Sequence, residues 1–228
     1  MAMHYFYSKS LVRMRWEQSF LAQWMSFVLT LGVWAATSAP APAAVIASKE
    51  LPDGAQFTVD GGTLRVRFWS PEIVRVTYAA GELPALKSLS VVANPAKVRW
   101  HWQEDDQAFT LAAPRMKVRI DKRTGAVIFL DATERPLLQE VAAGRSIQPA
   151  TVAGRAVTSC GQSFETTADE GIYGLGQHQR GVWNYNAGGS VRLAQANMDV
   201  GVPVIASSRG YMLLWDNPAV TTISSGSL

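Results

Sequence analysis

Residues 115–130 read RMKVRIDKRTGAVIFL, and this stretch decides the fold. Met116, Val118 and Ile120 alternate with Lys117 and Arg119. A period of two is that of a strand with one buried face, not that of a helix. Asp121, Lys122, Arg123, Thr124 and Gly125 follow as a loop, with Gly125 where a bulged hairpin needs positive φ. Residues 126–130 form the returning strand, residues 131–136 a turn, and residues 137–141 a further short strand.

The same pattern extends outward. Leu64, Val66 and Phe68 alternate with Arg65 and Arg67, and Val74, Val76 and Tyr78 with Arg75 and Thr77. Asp60-Gly61-Gly62, Ser70-Pro71 and Asn94-Pro95 punctuate the runs as turns. Residues 142–149 are expected to be a small, flexible connection, and residues 150–166 to add strand. No amphipathic helix of useful length stands out. Many short antiparallel strands at this spacing predict an all-β antiparallel sandwich rather than a βαβ fold.

The 228 residues suffice for one large domain or two small ones. Residues 1–43 read as a secretory signal peptide. Lys9, Arg13 and Arg15 precede an apolar run over 20–36, and a small-residue tract over 37–44 offers Ala41 and Ala43 to a small-x-small cleavage rule. The alternative is an uncleaved anchor. Residues 44–228 are then the domain, secreted or periplasmic. The leader holds three of the 21 basic residues and one of the 18 acidic ones, so the remainder is +1. That balance offers no electrostatic basis for nucleic acid, nor for a membrane partner after cleavage. One cysteine, Cys160, excludes an intrachain disulfide, and with no His or Lys nearby it reads as a small packed side chain.

Three constellations invite functional readings. Glu104, Asp105 and Asp106 sit at a loop tip and read as a solvated turn. Trp100 and Trp102, at i and i+2, share a strand face; they either enter the core, leaving His101 on the wetter side, or stack on a sugar. The richest stretch is 172–216, which opens IYGLGQHQRG. Gly174-x-Gly176 is not a nucleotide fingerprint, since the next glycine comes five residues later and no helical pattern follows. His178 has no second ligand at metal spacing, so neither metal nor cofactor is expected. Gln177, His178 and Gln179 either hydrogen-bond the loop to itself or line a polyol site.

Here a resemblance enters. YGLGQHQRG at 173–181, LAQAN at 193–197 and P-x-x-x-S-S-R-G-Y-x-L-L-W-D-N at 203–217, in that order, resemble the N-terminal domain of glycoside hydrolase family 31. KVRIDKRTGAVIFLDATERPLLQE at 117–140 resembles the same domain. That family includes α-glucosidases and α-xylosidases, and the Gln-His-Gln and LAQ-x-N forms look closest to α-xylosidase-like members. The resemblance implies a galactose-mutarotase-like β-sandwich. It also implies that the nucleophile and the acid/base are aspartates of a following (β/α)₈ barrel, which needs roughly 250 residues. The chain is therefore expected to be a domain lacking both carboxylates of retaining glycoside hydrolysis, and no catalytic residue is nominated. The implied partners are that barrel and an α-linked oligosaccharide. The implied pocket-lining, substrate-binding residues are Gln177, His178, Gln195 and Asn197. An apolar face is expected where the barrel would sit. The alternatives are a free-standing carbohydrate-binding module, using the Gln177–Asn197 face or the Trp100/Trp102 pair, and, by fold analogy alone, a sugar epimerase.

Overall fold

A computed structural model of the chain describes residues 5–8, 44–83 and 88–225. Within the expected leader only β1 (Tyr5–Ser8) is described, pairing in parallel with Ser163–Thr166. The apolar run and the cleavage tract lie outside the described residues.

Two sheets make the body. The first contains β2 (Val45–Leu51), β3 (Gly54–Val59), β4 (Gly62–Ser70) and β5 (Ile73–Ala79), in that spatial order and antiparallel throughout. The second contains β6 (His101–Glu104), β7 (Ala108–Ala112), β8 (Met116–Asp121), β9 (Val127–Asp131), β10 (Pro136–Val152) and β11 (Arg155–Thr166), with β1 at the far edge. The alternation predicts their inner faces. Phe57, Leu64, Val66 and Phe68 come from the first sheet and Leu111, Val118, Ile120 and Val127 from the second, all without exposed surface. Phe57 stacks on Trp102 at 5.8 Å between ring centres and meets Phe109 at 5.3 Å, so the sheets close face to face. Burying each such side chain stabilises the fold by about 1.5–3 kcal/mol.

Trp100 and Trp102 belong to this packing, Trp100 lying 6.3 Å from Phe68, while His101 is exposed. The pair is half-buried and packs against the core, which favours the packing reading over sugar stacking. The hairpin takes the expected form. Ile120 pairs with Val127, Gly125 has φ 62, and Asp121 Oδ1 accepts from the Arg123 and Thr124 amides. Of the acidic trio, Glu104 ends β6 and Asp105 and Asp106 lie in the turn, where Asp105 Oδ1 accepts from the Gln107 and Ala108 amides at 2.7 Å.

One expectation fails. Residues 142–149 are not a connection: β10 runs through them as a 17-residue strand. Its register to β11 shifts between Glu140 and Arg145, so residues 141–144 bulge and pairing resumes to Val152. Small residues there accommodate the bulge, and Ala153 (φ 48) and Gly154 (φ 75) make the tight turn into β11.

The remaining chain adds β12 (Ile172–Gln177), a short 3₁₀ turn (Tyr185–Ala187), β13 (Gly189–Leu193), β14 (Val200–Ser207), β15 (Met212–Leu214) and β16 (Thr221–Ser225). They form a three-stranded sheet ordered β12-β14-β15 and a ribbon of β13 with β16. Ile172, Leu175, Val191, Leu193, Ile205 and Ile223 turn inward and join the sandwich core.

Candidate functional site

The loop between β12 and β13 starts from a distorted strand end. Gly174, Leu175 and Gly176 have φ of 107, 65 and 97. A Cβ on Gly176 would overlap the Val200 carbonyl oxygen, and one on Gly174 would crowd that of Val204. These glycines let the β12 backbone press against β14 while Leu175 is driven into the core, 1% exposed. The bulge places Gly176 opposite Gly201 and Gln177 opposite Val200.

The base of the loop is pinned. Asn184 Oδ1 accepts from the Ile172 amide at 2.9 Å and the Asn186 amide at 3.0 Å. Asn186 Nδ2 donates to the carbonyls of Thr167 and Glu170, both at 2.7 Å. Glu170 is itself buried, its Oε1 accepting from Ser207 Oγ at 2.5 Å and Tyr211 Oη at 2.7 Å. Burial, with the Glu170 hydrogen bond, pushes the Tyr211 phenol far up, so it stays a neutral donor. From this rigid base the loop tip projects, with Trp183 85% exposed.

The four anticipated residues gather at one end of the β12–β14 pair, but with different roles. His178 has a side chain only 7% exposed, and its Nε2 donates to the Leu175 carbonyl at 2.8 Å. Its Nδ1 lies 3.8 Å from Asp199 Oδ1. Gln195 clamps a backbone: its Nε2 donates to Gly201 O at 3.0 Å and its Oε1 accepts from Gly201 N at 3.3 Å. Both therefore hold the loop to itself. Gln177 ends β12 exposed, and Asn197 is exposed on the turn between Ala196 and Asp199. These two, with Trp183 and Gln179, present groups outward. Asp216 is structural, accepting from Arg75 Nη2 and Ser88 Oγ, each at 2.7 Å. Burial raises the Cys160 thiol pKa, in line with a packing role.

Sequence reasoning missed three features. Asp199 reaches His178 only through the β12–β14 register, across 21 positions. Trp183 was legible as an aromatic in a Gly-rich loop, but its exposure follows from the Asn184 and Asn186 anchors. The third is a surface. Tyr173, Val200, Val202, Met212 and Leu214 are all exposed large hydrophobics. The pairings Tyr173↔Ala206, Ala206↔Met212 and Val204↔Leu214 put them on one outer face of the small sheet. Gln177, paired with Val200, borders that face.

Comparison with known proteins follows the same lines. The glycosyl hydrolase 31 N-terminal galactose mutarotase-like domain matches residues 63–223. An α-xylosidase from Saccharolobus solfataricus is 42% identical over 71 residues, which are 28% of this chain and 10% of that protein. Among solved structures, a family 31 α-xylosidase from Xanthomonas citri is 32% identical, with a TM-score of 0.66 over 76% of this chain and 19% of that one. A family 31 α-xylosidase from a soil metagenome, solved with xylose, is 26% identical, with a TM-score of 0.66 over 78% of this chain and 29% of that one. The chain thus spans about a tenth of the curated relative and under a third of either solved enzyme.

Proposed function

The chain belongs to glycoside hydrolase family 31, through its N-terminal galactose mutarotase-like domain, and on that premise we propose that it is the non-catalytic sandwich of an exported α-glycosidase of xylosidase or glucosidase type. In this reading the sandwich supports a catalytic barrel and lends it a loop. The carboxylates that act on the α-linked sugar come from the barrel, not from these 228 residues.

The observation that carries the reading is the outer face of the β12-β14-β15 sheet. A sheet with one solvated side alternates apolar and polar residues. Here Val200, Val202 and Val204 alternate with Gly201, Pro203 and Ile205, so neither side is polar. An apolar face exposed on a sandwich is a surface to be covered. Gln177 at its border, with Asn197 and Trp183 in the adjoining loops, then sits beside whatever covers it. Amide groups and an indole face suit the rim of a sugar pocket, whereas His178 and Gln195 shape the loop without touching the sugar.

Three measurements test this. The 228-residue chain should not turn over aryl α-xylosides or α-glucosides; hydrolysis by it overturns the non-catalytic assignment. In a polypeptide that continues into a barrel, Trp183→Ala and Asn197→Ala should raise KM for an α-linked disaccharide while leaving kcat little changed. No effect on either constant removes the loop from the pocket. Export is read from the N-terminus of protein recovered outside the cytoplasm: loss of residues 1–43 is expected, and a chain still beginning at Met1 overturns cleavage.

A further inference from the structure

The bulge in β10 leaves a cavity of about 120 Å³, away from the loop and sharing no residue with it. Asp60, Tyr78, Thr124, Glu140, Arg145 and Gln162 are among its walls. Glu140 and Gln162 are 3% and 2% exposed, so two polar side chains are held inside the domain at the wall of a void. A buried carboxylate is costly unless paired. Glu140 Oε2 accepts from Arg145 Nη2 at 2.6 Å and from the Val127 amide at 3.1 Å, and neither bond engages Oε1. The same guanidinium donates to Gly125 O at 3.4 Å and stacks 4.7 Å from the centre of the Tyr78 ring.

These contacts define what the cavity can hold. The one cation is already matched by Glu140, which disfavours an anion. No cluster of three metal-ligating side chains occurs among the described residues, so a metal ion has no cage. The residues around the void carry hydrogen-bonding groups: the Tyr78 hydroxyl, which donates to Gly61 O, the Gln162 carboxamide, whose Nε2 donates to Ser163 O at 3.0 Å, the Glu140 carboxylate and, at the exposed rim, the Asp60 carboxylate. Acceptors and amides around an aromatic ring match vicinal hydroxyls. At about 30 Å³ per water the space holds roughly four waters, or part of one pyranose ring entering from the open side.

We propose that this cavity is a second carbohydrate site, taking a single pyranose unit through Gln162, Glu140, Tyr78 and Asp60. The test is a titration of the 228-residue chain with xylose and with glucose, followed by calorimetry and by amide chemical shifts. Saturable binding with Kd in the millimolar range is expected, as for a small neutral ligand with few contacts, with shifts at residues 140–145 and 162. Gln162→Leu and Asp60→Ala should each weaken it about fivefold, the effect of one lost hydrogen bond. Asp60 is exposed, so its variant reads binding even where the buried Leu substitution impairs folding. Absence of saturation by ~100 mM sugar overturns the proposal and leaves a water-filled void. Binding that vanishes with Gln177→Ala and survives Asp60→Ala also overturns it, by assigning the sugar to the loop. The loop's own role is read from KM in the longer enzyme, so either proposal can fail alone.

Discussion

The sandwich body and the β12–β16 region treat their second faces in opposite ways. On β4 and β8 every inward apolar residue has a charged neighbour facing water: Arg65 and Arg67 beside Leu64, Val66 and Phe68, and Lys117 and Arg119 beside Met116, Val118 and Ile120. Those charges are engaged at the surface, Arg65 with Gln56, Arg67 with Asp53 and Lys117 with Glu134. On β14 and β15 the outward positions are Val200, Val202, Met212 and Leu214. One region turns charged side chains to water and the other leaves apolar side chains exposed. A period of two locates both faces, and only the residue type on the second face separates a solvated strand from an interface strand.

The largest effects should fall in the body. Phe57 has no exposed surface and touches both Trp102 and Phe109. Phe57→Ala should cost about 3–5 kcal/mol in urea unfolding, as a cavity between two sheets that cannot collapse. A loss under about 1 kcal/mol would mean that the sheets do not close on this ring. Next is the junction of the two regions. Gly176→Ala places a Cβ against the Val200 carbonyl at φ 97, and should cost on the order of 2–4 kcal/mol. A neutral Gly176→Ala in thermal melts would break the account of β12 pressed on β14.

The contrast also governs what was legible in advance. The 115–130 hairpin is legible because its information is local: five alternating residues and a glycine at the bulge, to which the structure adds the Asp121 Oδ1 bonds that close the turn. The Trp100/Trp102 face followed from strand parity. The 17-residue run of β10 is hidden because residues 142–149 carry no period, and their partners lie beyond the turn at Ala153–Gly154, set by pairing rather than pattern. In the loop, residue types pointed to Gln177, His178, Gln195 and Asn197. Which of them face outward depends on the bulge at Leu175 and the clamp on Gly201, long-range features that composition does not encode.

Smaller effects refine the comparison. Gln195→Ala removes two hydrogen bonds to Gly201 at an exposed position, so a loss of about 0.5–1.5 kcal/mol is expected, without effect on the body. Amide exchange should then rise at residues 195–201 alone; exchange that rises across β8 and β9 would deny the two regions their independence. At the hairpin end, the Thr133 hydroxyl, with the Arg135 backbone N–H and guanidinium, holds the Asp131 carboxyl down at about 2 from 3.8. A carboxyl depressed by folding adds stability that is complete above pH 3.8 and lost as pH falls towards 2. Asp131→Asn should therefore flatten the fall in thermal midpoint between those two pH values. An unchanged slope would show that the Thr133 and Arg135 bonds do not persist in solution.

The smallest change in stability should come with the largest change in behaviour. Val200→Thr, Val202→Thr and Met212→Gln together alter three exposed positions on the outer face of the small sheet, none of which adds to the buried core. Their combined effect on unfolding free energy should stay within about 0.5 kcal/mol per site. The isolated domain should nonetheless become more soluble, bind less of a hydrophobic dye and run as a sharper monomer, because the exposed apolar patch shrinks to Tyr173 and Leu214. If instead the triple variant unfolds readily, these side chains belong to the core, and the apolar second face is packing. If stability and solubility are both unchanged, the face is tolerated by water as it stands and gives no reason to expect a covering barrel. Only a solubility gain at constant stability separates a strand built for an interface from a strand built for a core, and in the longer enzyme the same three changes should then weaken the hold of the sandwich on its neighbour.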